Sequence, residues 1–145
     1  GFTLSGLFYG TGKRHMMFGV NARKAESQYV KNKFQLDYWR EDNRNATFPR
    51  ISMVAGVNGE NNRIESTFYL RNAAFLRLKN LSLTYDFKHK LLKSAKWLST
   101  CQVSLTGSNL FTISGVSDYW DPETTNTNGG YPTSRIYSLG VTLGF

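Results

Sequence analysis

Few side chains in these 145 residues are placed for covalent or metal chemistry. His15 and His89 stand in polar connections with no evident nucleophile beside them. No His-Glu-x-x-His, Gly-x-Ser-x-Gly or Gly-Lys-Ser/Thr run occurs, which removes the zinc-protease, serine-hydrolase and phosphate-loop readings. Asp118, Asp121 and Glu123 carry the oxygens that calcium takes, but the spacing of an EF-hand loop is missing, and turn or interface charges account for them better. The single cysteine, Cys101, offers neither an intrachain disulfide nor partners for a zinc site. The sequons Asn45-Ala46-Thr47 and Asn80-Leu81-Ser82 read as chance matches. Binding chemistry remains: Trp39, Tyr119 and Trp120 lie in connecting segments and have the flat faces that stack on sugar rings, although loop aromatics more often anchor their own loop. The chain reads as a non-enzyme without cofactor or metal, with those three aromatics as candidate substrate or lid contacts.

The elements that would position them are strands. From Tyr137 to Phe145 one parity holds Tyr137, Leu139, Val141, Leu143 and Phe145, and the other holds Ser138, Gly140, Thr142 and Gly144. Successive side chains on a strand point to opposite faces, so one face is oily and the other small and weakly polar. The same split appears at residues 80–87, with Leu81, Leu83, Tyr85 and Phe87 against Asn80, Ser82, Thr84 and Asp86. It appears again at 100–113, where Cys101, Val103, Leu105, Gly107, Phe111 and Ile113 oppose Thr100, Gln102, Ser104, Thr106, Ser108 and Thr112, with Asn109 and Leu110 as departures. Residues 2–11 alternate more weakly. Strands are therefore expected at about 2–12, 74–87, 98–114 and 135–145, joined by long connections 13–73 and 115–134 and a short one, 88–97. Arg77 and Lys79 share the apolar parity of their strand, which predicts either a strand that projects beyond the hydrocarbon or a bulge near Arg77. A short helix is expected within 22–38, from Ala22, Ala25, Tyr29 and Leu36.

The formal net charge is +8 and the sequence pI about 9.7. Lys and Arg fall almost entirely between the strands, so no strand face carries a basic stripe with stacking aromatics, and nucleic-acid binding ranks low. No apolar run is long enough for a transmembrane helix, and the first residues lack the basic start and apolar core of a signal peptide, so if the protein lives outside the cytoplasm its export signal is expected on sequence outside these residues.

Two all-β readings compete. In a soluble binding module that holds an acidic partner through basic loops, the polar strand faces should use Lys, Glu and Arg freely, and the protein should need no detergent. In an antiparallel transmembrane β-barrel segment, hydroxyl and amide side chains face the lumen, long surface loops alternate with short turns, and aromatics gather at the strand ends. The faces, the loop lengths and Phe2, Tyr85, Phe87, Trp97 and Phe145 at one end, with Phe111 and Tyr137 towards the other, favour the barrel. Four strands cannot close one, because an open sheet in lipid leaves two edges of unpaired backbone groups.

The residues also carry a family resemblance. Asp37-Tyr38-Trp39 through Asn45-Ala46-Thr47-Phe48-Pro49-Arg50 resembles the tryptophan, asparagine-alanine and proline-arginine signature of SusC/RagA-type TonB-dependent transporters of the Bacteroidetes outer membrane. Tyr69 to Tyr85 is similar to that family's "SYLRLKNVTLGY" segment, with Ala74-Phe75 in place of Ser-Tyr. Gly107-Ser108-Asn109-Leu110-Phe111-Thr112 resembles "GQNLFT", Asp121-Pro122-Glu123 resembles "DPE", and Tyr131 to Gly140 resembles "YPxxRxYxxG". The resemblance implies that these are the last four strands of a barrel of about twenty-two, with the plug domain absent from the sequence. It implies import of glycans or peptides across the cell outer membrane, with the rest of the barrel and plug, a SusD-like surface lipoprotein, TonB acting through the missing N-terminal part, and outer-membrane lipid as partners. Tyr137, Leu139, Val141, Leu143 and Phe145 resemble the signal read by the barrel-assembly machinery, and Phe145 serves equally well as a plain girdle residue.

Overall fold

The computed structural model describes residues 1–23, 32–51, 61–88, 92–124 and 131–145. They form two compact units: residues 1–12, 75–113 and 133–145, and residues 13–74 and 114–132.

The first unit is a four-stranded sheet ordered β1-β4-β5-β6, built from β1 (Phe2–Thr11), β4 (Phe75–Asp86), β5 (Thr100–Ser114) and β6 (Ile136–Gly144). Directly opposed residues of an antiparallel pair share a face, so the register sorts the side chains. Between β1 and β4 one face holds Phe2 with Tyr85, Leu4 with Leu83, Gly6 with Leu81, Phe8 with Leu78 and Gly10 with Leu76. The other holds Thr3 with Thr84, Ser5 with Ser82, Leu7 with Asn80, Tyr9 with Arg77 and Thr11 with Phe75. Between β5 and β6 the oily face continues as Cys101 with Leu143, Val103 with Val141, Leu105 with Leu139 and Gly107 with Tyr137.

Two irregularities keep that face oily. The register shifts between Leu7 and Phe8, leaving Lys79 as an extra residue on β4. Beyond this bulge the parity of β4 reverses, so Leu78 and Leu76 join the oily face and Arg77 leaves it. Lys79 leaves it too, its Nζ lying 4.8 Å from the centroid of Tyr9, a residue of the polar face. Of the two explanations open from sequence, the bulge is the one the structure shows. The second irregularity is Asn109, in the left-handed region at φ 54°, which asparagine tolerates better than most residues. It turns Leu110 over Gly107, where an added Cβ would meet Leu110 Cδ2 at 2.6 Å. Leu110, assigned by simple alternation to the polar face, therefore lies against a residue of the oily one, and Phe111 stays there edge-on to Phe8 at 6.4 Å.

Most of this face stays open among the described residues, although Leu78 on it is buried. Leu105, Val141 and Leu143 remain 54%, 61% and 53% exposed, values incompatible with the core of a closed soluble sandwich. Among the described residues the sheet does not close: β1 is paired only along its β4 side and β6 only along its β5 side.

The second unit holds most of the buried core. It contains β2 (His15–Met17) paired antiparallel with β3 (Leu70–Asn72), a single helical turn Val20–Arg23, and 3-10 turns at Lys33–Leu36 and Thr67–Tyr69. The helix expected within 22–38 thus appears as two short turns, and residues 24–31 lie outside the described residues. Phe18, buried to 1% exposure, is surrounded by Phe34, Phe48, Tyr69, Tyr119 and Trp120 at centroid distances of 5.4, 5.8, 6.1, 5.2 and 4.7 Å. Most of these contacts are edge-to-face, the arrangement that the ring quadrupole favours. Met16, Ala73 and Val116 form a second buried cluster. The long connections, which read as polar from sequence, therefore fold around apolar centres of their own.

Candidate functional site in the folded connections

The segment Asp37 to Phe48 is a loop tied at its base. Trp39 N donates to Phe48 O at 2.9 Å and Phe48 N to Asp37 O at 3.0 Å, forming a bridge of Tyr38 with Phe48. The Asp37 carboxylate accepts from Asn43 Nδ2 and from Thr47 N, each at 3.0 Å. Hydrogen bonds from the Thr47 and Asn43 side chains, then from the Thr47 backbone, hold its carboxyl below the usual carboxylate range. An aspartate at this spacing locks a loop because its two oxygens accept from a side-chain amide and a backbone N–H across the turn.

This lock positions Trp39. The ring is 39% exposed and lines an open cleft of about 510 Å³ together with Phe48, Arg50, Asn62, Ser66 and Phe68. Tyr119 and Trp120 are placed differently. Both are half-buried against the Phe18 cluster and against Met16, Ala73 and Val116. Of the three aromatics singled out from sequence, the structure leaves Trp39 at an open cleft and sets the other two into the packing.

Arginines fasten the segments to one another. Arg14 donates from Nη1 to Pro122 O at 2.6 Å and from Nη2 to Thr124 O at 3.2 Å, joining the two connections. Arg23 reaches Phe18 O, Arg63 O and Glu65 Oε1, the last an ion pair at 2.9 Å. Arg71 lies over Phe18 at 5.2 Å and over Tyr119 at 5.9 Å. Tyr69 donates its hydroxyl to Asn62 O. Desolvation raises the pKa of that phenol against the opposing charge of Arg23. Asp37, Arg14 and Phe18 were missed by sequence reasoning. The one available signal was the spacing of Asp37 from Asn43 and Thr47, since a carboxylate, an amide and a hydroxyl within one loop suggest a side-chain lock.

Catalytic geometry is not assembled. His15 is exposed on β2 opposite Asn72, and His89 lies outside the described residues. Asp121 Oδ1 accepts from Glu123 N at 2.9 Å, a local turn contact. No group of three His, Cys, Asp or Glu side chains converges on a metal position among the described residues.

On the sheet, Tyr137, Leu139, Val141 and Leu143 stand along the oily face of β6. The Phe145 ring stacks on Trp97 at 5.9 Å. Arg77 lies on the opposite face, 2% exposed, its Nε donating to Thr112 Oγ1 at 2.8 Å.

No family model matches the chain. Among curated proteins, TonB-dependent receptor P3 of Formosa agariphila is 30% identical over 123 aligned residues, covering 74% of this chain and 11% of the receptor. A solved structure of the RagAB peptide transporter aligns with all of the chain at a TM-score of 0.71 and 28% identity. The chain belongs to the SusC/RagA-type TonB-dependent receptors. The RagAB peptide importer in its open-open and closed-closed states aligns as well, with TM-scores of 0.68 and 0.69 and identities of 29% and 28%. The chain spans only 16% of each RagAB chain. As part of a SusC/RagA-type receptor, the four strands are a section of an outer-membrane β-barrel, and the uncovered oily face is the one suited to lipid. The folded connections are its loop structure.

Proposed function

We propose that this chain forms four adjacent strands and two folded surface loops of an energy-coupled importer in the outer membrane. The observation that carries the reading is the sheet itself, with one continuous, largely exposed apolar face and a second face built mainly of hydroxyl, amide and glycine residues. In lipid, the first meets acyl chains and the second supports a plugged, polar lumen. Likeness to a peptide transporter supports peptides as cargo, and glycans are the other class that the family resemblance implies. Connections 13–73 and 115–134 lie on the extracellular side, where Trp39 contacts cargo or a SusD-like lipoprotein that closes over the barrel, and Tyr119 and Trp120 act by holding the loops in shape. The turn 88–97 is periplasmic. TonB engages the remainder of the polypeptide, and the apolar stripe of β6 with Phe145 serves as the assembly signal.

Uptake measurements test this directly. Cells expressing the intact transporter should accumulate labelled oligopeptides, lose accumulation when TonB or the proton-motive force is removed, and show weaker accumulation with Trp39→Ala at unchanged barrel content. Accumulation independent of both energy coupling and the transporter gene sinks the reading.

A further inference from the structure

Aromatic side chains form a row across one end of the sheet. Ring centroids of Phe2 and Tyr85 lie 4.5 Å apart and those of Tyr85 and Phe87 4.6 Å, while Trp97 and Phe145 stack with planes 16° from parallel. Because the strand order is β1-β4-β5-β6, this row crosses all four strands. Trp97 and Phe145 are 69% and 82% exposed, so their mutual stacking covers only one side of each ring. Directly along the strands from this pair, the apolar stripe of Leu143 and Val141 begins.

The connection beside the row is basic. Lys88 is engaged in holding the turn, its Nζ donating to Ala95 O at 2.6 Å and Leu92 O at 3.2 Å. Lys93 and Lys96 are exposed and form no ion pair among the described residues. No Asp or Glu occurs between Asp86 and Asp118. Two exposed lysines in the connection that leads into Trp97, at the margin of an exposed apolar stripe, match the layered chemistry of a lipid: phosphate, glycerol region and hydrocarbon. Amphipathic rings settle at the headgroup level, and each lysine near an anionic surface contributes about 1 kcal/mol, or about fivefold in occupancy.

We propose that Lys93, Lys96, Trp97 and Phe145 form a docking surface for anionic phospholipid headgroups on the rim that carries the short connection. The occupant is a phospholipid and not a protein, because the basic pair adjoins the exposed apolar face of the sheet, the face suited to acyl chains. The proposal rests on the barrel fold and is independent of what the transporter carries.

The test uses the intact transporter in detergent doped with equal phosphatidylglycerol and phosphatidylcholine, with retained lipid counted by native mass spectrometry. Wild type should retain phosphatidylglycerol preferentially, and K93Q/K96Q should lose at least about fivefold of that preference while K93R/K96R keeps it. W97A should lower retention of both lipids and leave the preference in place. Heat-modifiable migration of each variant reports that the barrel is folded. An unchanged preference in folded K93Q/K96Q overturns the proposal, as does displacement of phosphatidylglycerol by lipopolysaccharide when both are supplied.

Discussion

Asp37 shows how one exposed side chain fixes a loop. Its carboxylate bridges Asn43 and Thr47 and thereby closes the segment that presents Trp39. The folded-state pKa is depressed, so the stabilisation is fully present above the unfolded value, about 3.9, and is lost as pH falls through the lower folded value. Hydrogen exchange at Thr47 N–H, corrected for the intrinsic rate, should therefore be slow at neutral pH and accelerate in acid. Asp37→Asn should remove most of that pH dependence, because the amide keeps an acceptor but cannot ionise. Gly10 marks a different constraint at the same scale. A Cβ there would press into the Phe75 carbonyl oxygen and come within 3.2 Å of Leu76 Cα, and backbone cannot swing aside as a side chain can. Gly10→Ala should destabilise the loop-proximal end of the β1–β4 pair, seen as faster exchange of the Phe75 to Arg77 amides with the rest of the sheet unchanged.

At the scale of elements, the bulge at Lys79 and the left-handed Asn109 do the same job on neighbouring strands. Each interrupts the period of two so that apolar residues stay on one face. Without the bulge, Arg77 would lie on the apolar face, and an arginine facing lipid costs from about 0–1 kcal/mol near the interface to about 2–4 kcal/mol at the bilayer midplane. The two faces of β6 allow a matched comparison. Val141→Arg places a cation on the apolar face and should reduce the heat-modifiable folded fraction of the intact receptor, in line with about 2–4 kcal/mol. Thr142→Arg, one residue away and opposite Gln102, should assemble nearly as wild type. Equal defects in both variants would mean that the faces have been assigned the wrong way round.

At the scale of the whole molecule, the sheet and the folded connections are stabilised by different means. The sheet depends on backbone pairing and leaves its apolar face exposed, whereas the connections depend on a conventional aromatic core around Phe18. Phe18→Ala removes the ring that five others surround, and truncating a buried Phe typically costs about 3–5 kcal/mol. The expected result is a receptor that still inserts and still migrates as a folded barrel, yet whose residues 13–74 and 114–132 become sensitive to protease. Loss of barrel assembly in that variant would show that the two units are not separately stable.

The strands were legible in the sequence because alternation is a local property. Leu139, Val141 and Leu143 against Ser138, Gly140 and Thr142 need no knowledge of what lies across the sheet, and the resemblance of the linking motifs is likewise carried by neighbours in the chain. The aromatic core was not legible, because Phe18, Phe34, Phe48, Tyr69 and Trp120 follow no period and meet only after the chain has turned several times. For the same reason Tyr119 and Trp120 could not be told from Trp39: all three are aromatics in polar surroundings, and only tertiary contacts decide which ring is packed and which borders a cleft. The direction of Arg77 was undecided as well, since moving one extra residue into β4 reverses every side chain beyond it, and the partner strand alone fixes where that residue goes. Local periodicity thus determined that this chain makes two-faced strands. Pairing register and long-range packing decided where its charges point and that its connections fold.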